Sequence, residues 1–327
     1  MNKKILFSIT NLIGGGAEKI LLDTVKAMDK TKYDVYVFSL LNEGIYIEEI
    51  KKYATYFFAF DLEAYPERLR NYIRFLFLRY IKFSKKEKLY KKYVQGEYDY
   101  EIAFLEGPVT KIIAGSKSRT PKYAWVHVDL INLPDSNKYY RSKEEAKECY
   151  NFYNKILCVS SDVKTSFLKI YDVDEEKVQV QLNVLDTNKI LNSIKNVTEY
   201  KRQNPLNLIT VGRLSPQKGY DRLLKCCVRL KEDKLTFKLK IVGTGLLKDT
   251  YQKFIDDNKL NDCVELTGFI DNPYPLLKKA DLFVCSSLTE GFSTVVSEAI
   301  FLGTPVLTTD CAGMKDILGD SEFRSEE

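Results

Sequence analysis

Two carboxylates eight residues apart, Glu290 and Glu298, stand in the stretch SSLTEGFSTVVSEAIFLGTPVLTTD (286–310), around a glycine and a run of small hydroxylated residues. The preceding DLFVCSS reads as the end of a strand. FSTVVSEAIFLG has helical spacing, with Val296, Ala299 and Ile300 available to pack. Ser293 or Thr294 is placed to cap that helix, leaving its first N–H groups for a ligand. Glu290 then lies in the loop and Glu298 on the helix, so they flank one ligand instead of sharing a face. Carboxylates accept hydrogen bonds from vicinal hydroxyls, the chemistry of a polyol ligand. Each acid taken singly also reads as an ordinary surface residue.

Other residues add charge and close backbone approach. In VGRLSPQKGY, Arg213 and Lys218 follow a strand across a turn containing Pro216, a bidentate fork and a mobile point charge able to converge on a pyrophosphate. Exposed turn cations are the plain alternative. Gly243 and Gly245 in VGTG mark another strand-end loop. Gly14, Gly15 and Gly16 form a strand-to-helix turn, either a tight turn or a place where backbone N–H groups meet an anion. Neither GxGxxG nor a Walker loop is present. His127, the only histidine, ends an apolar strand in YAWVHVDL with Asp129 two residues on. A lone histidine is more often structural, but a strand's carboxyl end favours function.

These residues require elements to hold them, and the chain supplies two sets. KILFSIT, YDVYVFSLL, DYEIAFLEG, YAWVHVD and KILCVS read as strands, with a helix through about Asp29 and further helices in EEAKECYNFYN and SSDVKTSFLKI. A second series runs through LNLITVG, FKLKIVG, CVELTGF, ADLFVCSS and TPVLTTD. Short apolar strands alternating with helices predict α/β architecture: two Rossmann-like domains of parallel sheet facing across a cleft, with ligands at the strands' carboxyl ends. The expected limits are 1–185 and 205–327, joined by a linker at 186–204. The polar tail of VLTTDCAGMKDILGDSEFRSEE, with no further strand or long helix, is expected to leave the second domain incomplete.

Composition sets bounds. Lys and Arg exceed Asp and Glu by 50 to 45, a net charge of +5 that does not by itself argue for nucleic acid. Seven cysteines without a CxxC pair or clustered histidines point to reduced, mostly buried thiols and to neither a disulfide framework nor a zinc site. The N-terminus lacks a signal-like segment, and no run approaches the roughly 18–20 apolar residues of a membrane span. A cytoplasmic protein with at most peripheral membrane contact is expected.

One segment concentrates charge. Residues 67–93 hold ten Lys or Arg against two Glu, interleaved with seven Phe or Tyr. Two readings stand side by side, a membrane-surface segment with its cations on anionic lipid and a plain amphipathic helix with a solvated basic face. Binding to single-stranded nucleic acid ranks behind both, since no recognisable module accompanies the aromatics.

Taken together, GGGAEK, VGRLSPQKG, GTG and EGFSTVVSEAIFLGTPVLTTD, in this order, resemble retaining glycosyltransferases of the GT4 type with the GT-B fold, especially bacterial enzymes of capsule and other surface-polysaccharide biosynthesis. The resemblance implies a hexosyltransferase (EC 2.4) using a nucleotide sugar, with a UDP-sugar favoured, and a polyprenyl-diphosphate-linked glycan as acceptor. It implies that Arg213 and Lys218 bind the diphosphate and that Glu298 binds the ribose hydroxyls. Glu290 would touch the transferred sugar, with the backbone of Gly291, Phe292, Ser293, Thr294 and Val295 around sugar and phosphate. Gly15 and Gly16 would close over the phosphates, His127 would lie near the reaction centre, and Gly243 and Gly245 would line the donor loop. No cofactor or essential metal is implied. In this setting Arg74, Arg79, Lys82, Lys85 and Lys86 are the cations expected to hold the protein at the inner face of the cytoplasmic membrane. Relatives of this type continue past GDSEF with a strand and helices. The rival reading is a non-catalytic carbohydrate-binding or partner-activating subunit of the same fold; a phosphorylase or nucleotide-sugar epimerase is a further alternative.

Overall fold

The computed structural model describes residues 2–132, 138–197 and 204–319. The chain divides into two compact units, Met1–Val184 and Leu185–Glu327.

The first unit is built on seven strands, β1 (Lys3–Ile9), β2 (Tyr33–Leu41), β3 (Thr55–Phe60), β4 (Tyr100–Ala103), β5 (Lys122–Val126), β6 (Lys155–Cys158) and β7 (Val178–Val180). All pair in parallel, in the order β3-β2-β1-β4-β5-β6-β7. Its helices are α1 (Gly16–Ala27), α2 (Ile47–Lys51), α3 (Glu67–Phe83), α4 (Lys86–Tyr93), α5 (Pro108–Ile113), α6 (Lys143–Asn151) and α7 (Ser161–Ile170). β1 starts on two exposed lysines and continues through five buried residues, the unbroken burial of a strand covered on both faces. Its Ile5, Phe7 and Ile9 pack with Val35 and Val37 of β2 and with Leu21, Leu22 and Val25 of α1.

In the second unit β8 (Leu206–Val211), β9 (Phe237–Val242), β10 (Val264–Gly268), β11 (Leu282–Cys285) and β12 (Val306–Thr308) form a parallel sheet in the order β10-β9-β8-β11-β12. Helices α8 (Thr187–Ile194), α9 (Tyr220–Glu232), α10 (Lys248–Asp257), α11 (Tyr274–Lys278), α12 (Thr294–Phe301) and α13 (Met314–Leu318) accompany it. Leu239, Ile241 and Val284 meet Leu224 and Cys227 of α9 in one core; Ile209, Val242 and Phe283 meet Val296 and Ala299 of α12 in the other. Ile300, expected to pack with them, is exposed instead.

Strand order places the ligand-binding edges. In the first sheet the chain moves outward from β1 to β3, then resumes at β4 on the other side of β1. In the second it moves from β8 to β10 and resumes at β11 beside β8. Each reversal opens a crevice beyond the carboxyl ends of the two strands, β1/β4 and β8/β11, the general location of ligands in open parallel sheets.

The expected segments compare with the structure one by one. The stretch expected as a linker carries α8, whose Ile190 is buried in the second unit's core. The basic segment forms two helices, α3 burying Phe77 and Ile81 and α4 burying Leu89. Residues 320–327, where the second domain is expected to stop short, lie outside the described residues. All seven cysteines are free; Cys149, Cys158, Cys227 and Cys285 are buried and Cys226 is exposed.

Candidate active site

The second unit's reversal point gathers charge. Lys218 lies in the turn after β8 and Glu290 in the loop after β11, 72 residues apart in sequence, and the Lys218 ammonium donates to Glu290 Oε1 at 2.5 Å. The Ser287 hydroxyl donates to the same oxygen at 2.6 Å. Glu290 is 7% exposed and Ser287 2%. The two loops are sewn together: Leu288 N–H donates to the Gln217 carbonyl, Gln217 Nε2 to the Thr289 carbonyl, and the Ser286 hydroxyl to the Lys218 carbonyl. Gly219 makes this approach possible. It adopts φ +61°, and a Cβ there would stand 2.1 Å from the Ser286 carbonyl oxygen.

Glu298 is not the surface acid that its helix position allows. It is 2% exposed, and the Tyr274 hydroxyl from α11 donates to its Oε1 at 3.1 Å. Ser293 occupies the N-cap of α12 but makes no side-chain capping bond. Its carbonyl accepts the Ser297 hydroxyl instead. Gly291 and Ser293 are buried, while Phe292, Thr294 and Val295 are half-buried around the start of the helix. An ammonium, two buried carboxylates and the N-terminus of α12 thus occupy one edge of the sheet, a set able to meet an anion and neighbouring hydroxyls.

The remaining expected residues of this unit divide. Arg213 follows β8 and is exposed. Gly243 and Gly245 have a packing reason for being glycine. Gly243 adopts φ +143°, and a Cβ on it would meet the Gly212 carbonyl oxygen at 2.0 Å; one on Gly245 would meet that of Leu214 at 2.4 Å. The loops after β8 and β9 press backbone against backbone there, and Leu214 N–H bonds the Thr244 carbonyl.

The first unit's reversal point has a different character. Gly15 is the N-cap of α1, and the Glu18 carboxylate lies 2.2 Å from where a Gly15 Cβ would stand, so an acid already borders the glycine turn. Glu106, three residues past the end of β4 at Ala103, accepts the His127 backbone N–H at 2.9 Å. Burial, with the Glu18 charge adding to it, raises the Glu106 carboxyl above its ordinary range. The His127 ring lies against Trp125 and Phe104, with centroids at 5.8 and 5.1 Å. Its Nε2 is sealed from solvent without a hydrogen-bond partner among the described residues. Burial pushes the imidazole down to about 3, opposed by a bond to the Phe104 backbone. His127 is therefore uncharged at neutral pH. Asp129 instead braces its own loop, taking the Ser166 hydroxyl and the Asn132 amide.

The five basic residues expected on a membrane face are not equivalent. Arg74 turns inward, its guanidinium 2.5 Å from Glu43. Arg79 and Lys82 lie over the Phe83 ring and Lys86 over that of Phe152, while Lys85 is exposed. Leu69, Tyr72, Phe75, Leu76 and Phe83 are exposed along α3. Among the described residues no helix is long and apolar enough to cross a membrane, and no group of three or more His, Cys, Asp or Glu is placed to hold a metal. Sequence reasoning missed Ser287, Tyr274 and Glu106. Only Glu106 carried a readable signal, an acid just beyond a strand in FLEG.

Two family descriptions match the chain, Glycosyltransferase Family 4 over residues 14–189 and Glycosyl transferases group 1 over residues 193–324. A Campylobacter jejuni protein, N-acetylgalactosamine-N,N'-diacetylbacillosaminyl-diphospho-undecaprenol 4-alpha-N-acetylgalactosaminyltransferase, is 27% identical over 98% of this chain and 85% of its own. The amylovoran biosynthesis glycosyltransferase AmsK of Erwinia amylovora is 32% identical over 35% of this chain and 30% of its own. Among solved structures, Anabaena Alr3699/HepE in complex with UDP and glucose matches with a TM-score of 0.71 at 20% identity, over 96% of this chain and 83% of its own. The lipopolysaccharide outer core galactosyltransferase WaaB matches with a TM-score of 0.62 at 19% identity, over 94% and 81%. The fold is GT-B, and with one family description spanning more than half of its residues, the chain belongs to Glycosyltransferase Family 4 and is a glycosyltransferase.

Proposed function

We propose that this glycosyltransferase moves a sugar from a UDP-sugar to a hydroxyl of a lipid-linked glycan, with retention at the anomeric carbon. The observation that carries the reading is the Lys218–Glu290 contact at the β8/β11 reversal, a cation for a diphosphate beside an acid for sugar hydroxyls. A uridine donor is supported by HepE structures solved with UDP, with UDP and glucose, and with UDP-glucose. A polyprenyl-diphosphate acceptor is supported by the name of the Campylobacter protein, which specifies a diphospho-undecaprenol substrate.

In this reading Lys218 and Arg213 take the diphosphate and stabilise charge on the departing nucleotide. Glu298 accepts from the ribose hydroxyls, and Glu290 from the transferred sugar. Backbone groups of Gly291, Phe292, Ser293, Thr294 and Val295 surround sugar and phosphate, beside the loop of Gly243 and Gly245. The leaving phosphate oxygen takes the acceptor proton as the new bond forms on the same face, so no protein nucleophile is required. His127 lies near the reaction centre as an uncharged ring packed against Trp125 and Phe104. Phosphate at Gly15 and Gly16 requires Glu18 to swing aside, since its carboxylate borders that turn. The exposed face of α3 and the cations Arg79, Lys82, Lys85 and Lys86 hold the enzyme to an anionic membrane surface at the cytoplasmic side. Arg74 serves the fold through Glu43.

The test supplies UDP- and GDP-sugars with labelled glycosyl groups to the protein and to membranes from a polysaccharide-producing bacterium. Label from one UDP-sugar in extractable lipid, absent with Glu298→Ala, and an α-linkage by NMR are expected. No transfer from any donor, or a β-linked product, contradicts the reading.

A further inference from the structure

Glu290 receives two short hydrogen bonds on a single oxygen, from the Lys218 ammonium at 2.5 Å and the Ser287 hydroxyl at 2.6 Å. The two donors differ in what else they serve. Lys218 is half-buried and, on the function proposed above, is the cation that meets the donor diphosphate. A diphosphate carries more negative charge than one carboxylate, so ligand arrival draws the ammonium away from Glu290. Ser287 has no such second duty. It sits two residues beyond the end of β11, its backbone carbonyl accepts the Thr309 hydroxyl at 2.5 Å, and its own oxygen takes only the weak Cys285 thiol contact at 3.6 Å besides donating to Glu290.

We infer that Ser287 is a positioning residue, the group that keeps Glu290 aimed at the transferred sugar once Lys218 has turned to the diphosphate. In the free protein either donor holds the carboxylate; in the complex only Ser287 remains. The inference rests on the transferase reading and predicts a separation between the two halves of the donor. The nucleotide half does not depend on Ser287 and the sugar half does. A hydrogen bond to a charged group contributes roughly tenfold or more to an equilibrium.

The experiment measures calorimetric affinity for UDP, UDP-glucose and UDP-N-acetylglucosamine, and kcat/KM with the sugar that is transferred, for the full chain and for Ser287→Ala and Ser287→Thr. Ser287→Ala is expected to bind UDP within about twofold of the parent, while the UDP-sugar affinity and kcat/KM each fall about tenfold. Ser287→Thr, which keeps the hydroxyl, is expected to recover most of the loss. Ser287→Ala with unchanged UDP-sugar affinity and turnover overturns the inference alone, as does a parallel fall in UDP affinity, which marks a merely structural residue. A parent chain that binds no nucleotide or nucleotide sugar overturns the transferase reading, and this inference with it.

Discussion

His127 shows how far burial changes what a residue can do. Its folded-state value of about 3 lies below the ordinary 6.5, so between the two the unfolded chain holds a proton that the folded chain lacks. The stabilisation is therefore complete above about pH 6.5 and is lost as pH falls toward 3. Thermal melting should show a larger loss between about pH 7 and pH 4.5 for the parent than for His127→Gln; equal losses would mean the ring is not buried uncharged. Glu106, raised by burial, contributes with the opposite sign and is common to both proteins. Tyr274→Phe removes a hydroxyl donor from buried Glu298 and should cost about 1–3 kcal/mol of stability, read from denaturant unfolding. An unchanged midpoint would make that contact incidental. Lys218 and Glu290 were legible as candidates because strand-end charges are visible in a linear pattern. Ser287 and Tyr274 were not, since their importance comes from partners fixed only by the packing of α11, α12 and the β11 loop.

At the level of elements, loop contact governs the site. Gly219→Ala places a Cβ 2.1 Å from the Ser286 carbonyl and holds alanine at φ +61°, so a loss of at least about 2 kcal/mol is expected in denaturant unfolding. Nucleotide-sugar affinity should fall with it, because Lys218 and the β11 loop lose their common anchor; retained stability would show that the loops do not press together. Strands such as β1, β2, β8 and β9 were readable from short stretches rich in apolar residues, β9 alternating with lysine. The edge strands β3 and β7 were not, since β3 is partly exposed along its length and β7 has three residues with one buried. Helix α8 was passed over although Ile190 and Ile194 recur at helical spacing, because it stands in a polar stretch and buries one position fully.

Across the molecule, the charge count said less than its distribution. Of the cations between residues 67 and 93, Arg74 is held by Glu43, whereas the apolar face of α3 shows Tyr72 63% and Phe75 58% exposed. Arg74→Ala should therefore lower stability by about 1–3 kcal/mol and leave binding to vesicles of anionic phospholipid unchanged. Tyr72→Ser with Phe75→Ser should leave stability unchanged and cut vesicle binding about tenfold or more; the reverse pattern would remove α3 from any membrane role. The central claim is that the strand-end cluster of the second unit drives transfer by stabilising the leaving diphosphate. The measurement that tests it most directly is kcat for sugar transfer from the accepted UDP-sugar by Lys218→Ala, with its melting temperature measured alongside. A fall of roughly a hundredfold or more in kcat is predicted at a temperature where the melting curve shows the variant still folded. A kcat equal to that of the parent would contradict the claim and move the chemistry away from the β8/β11 edge.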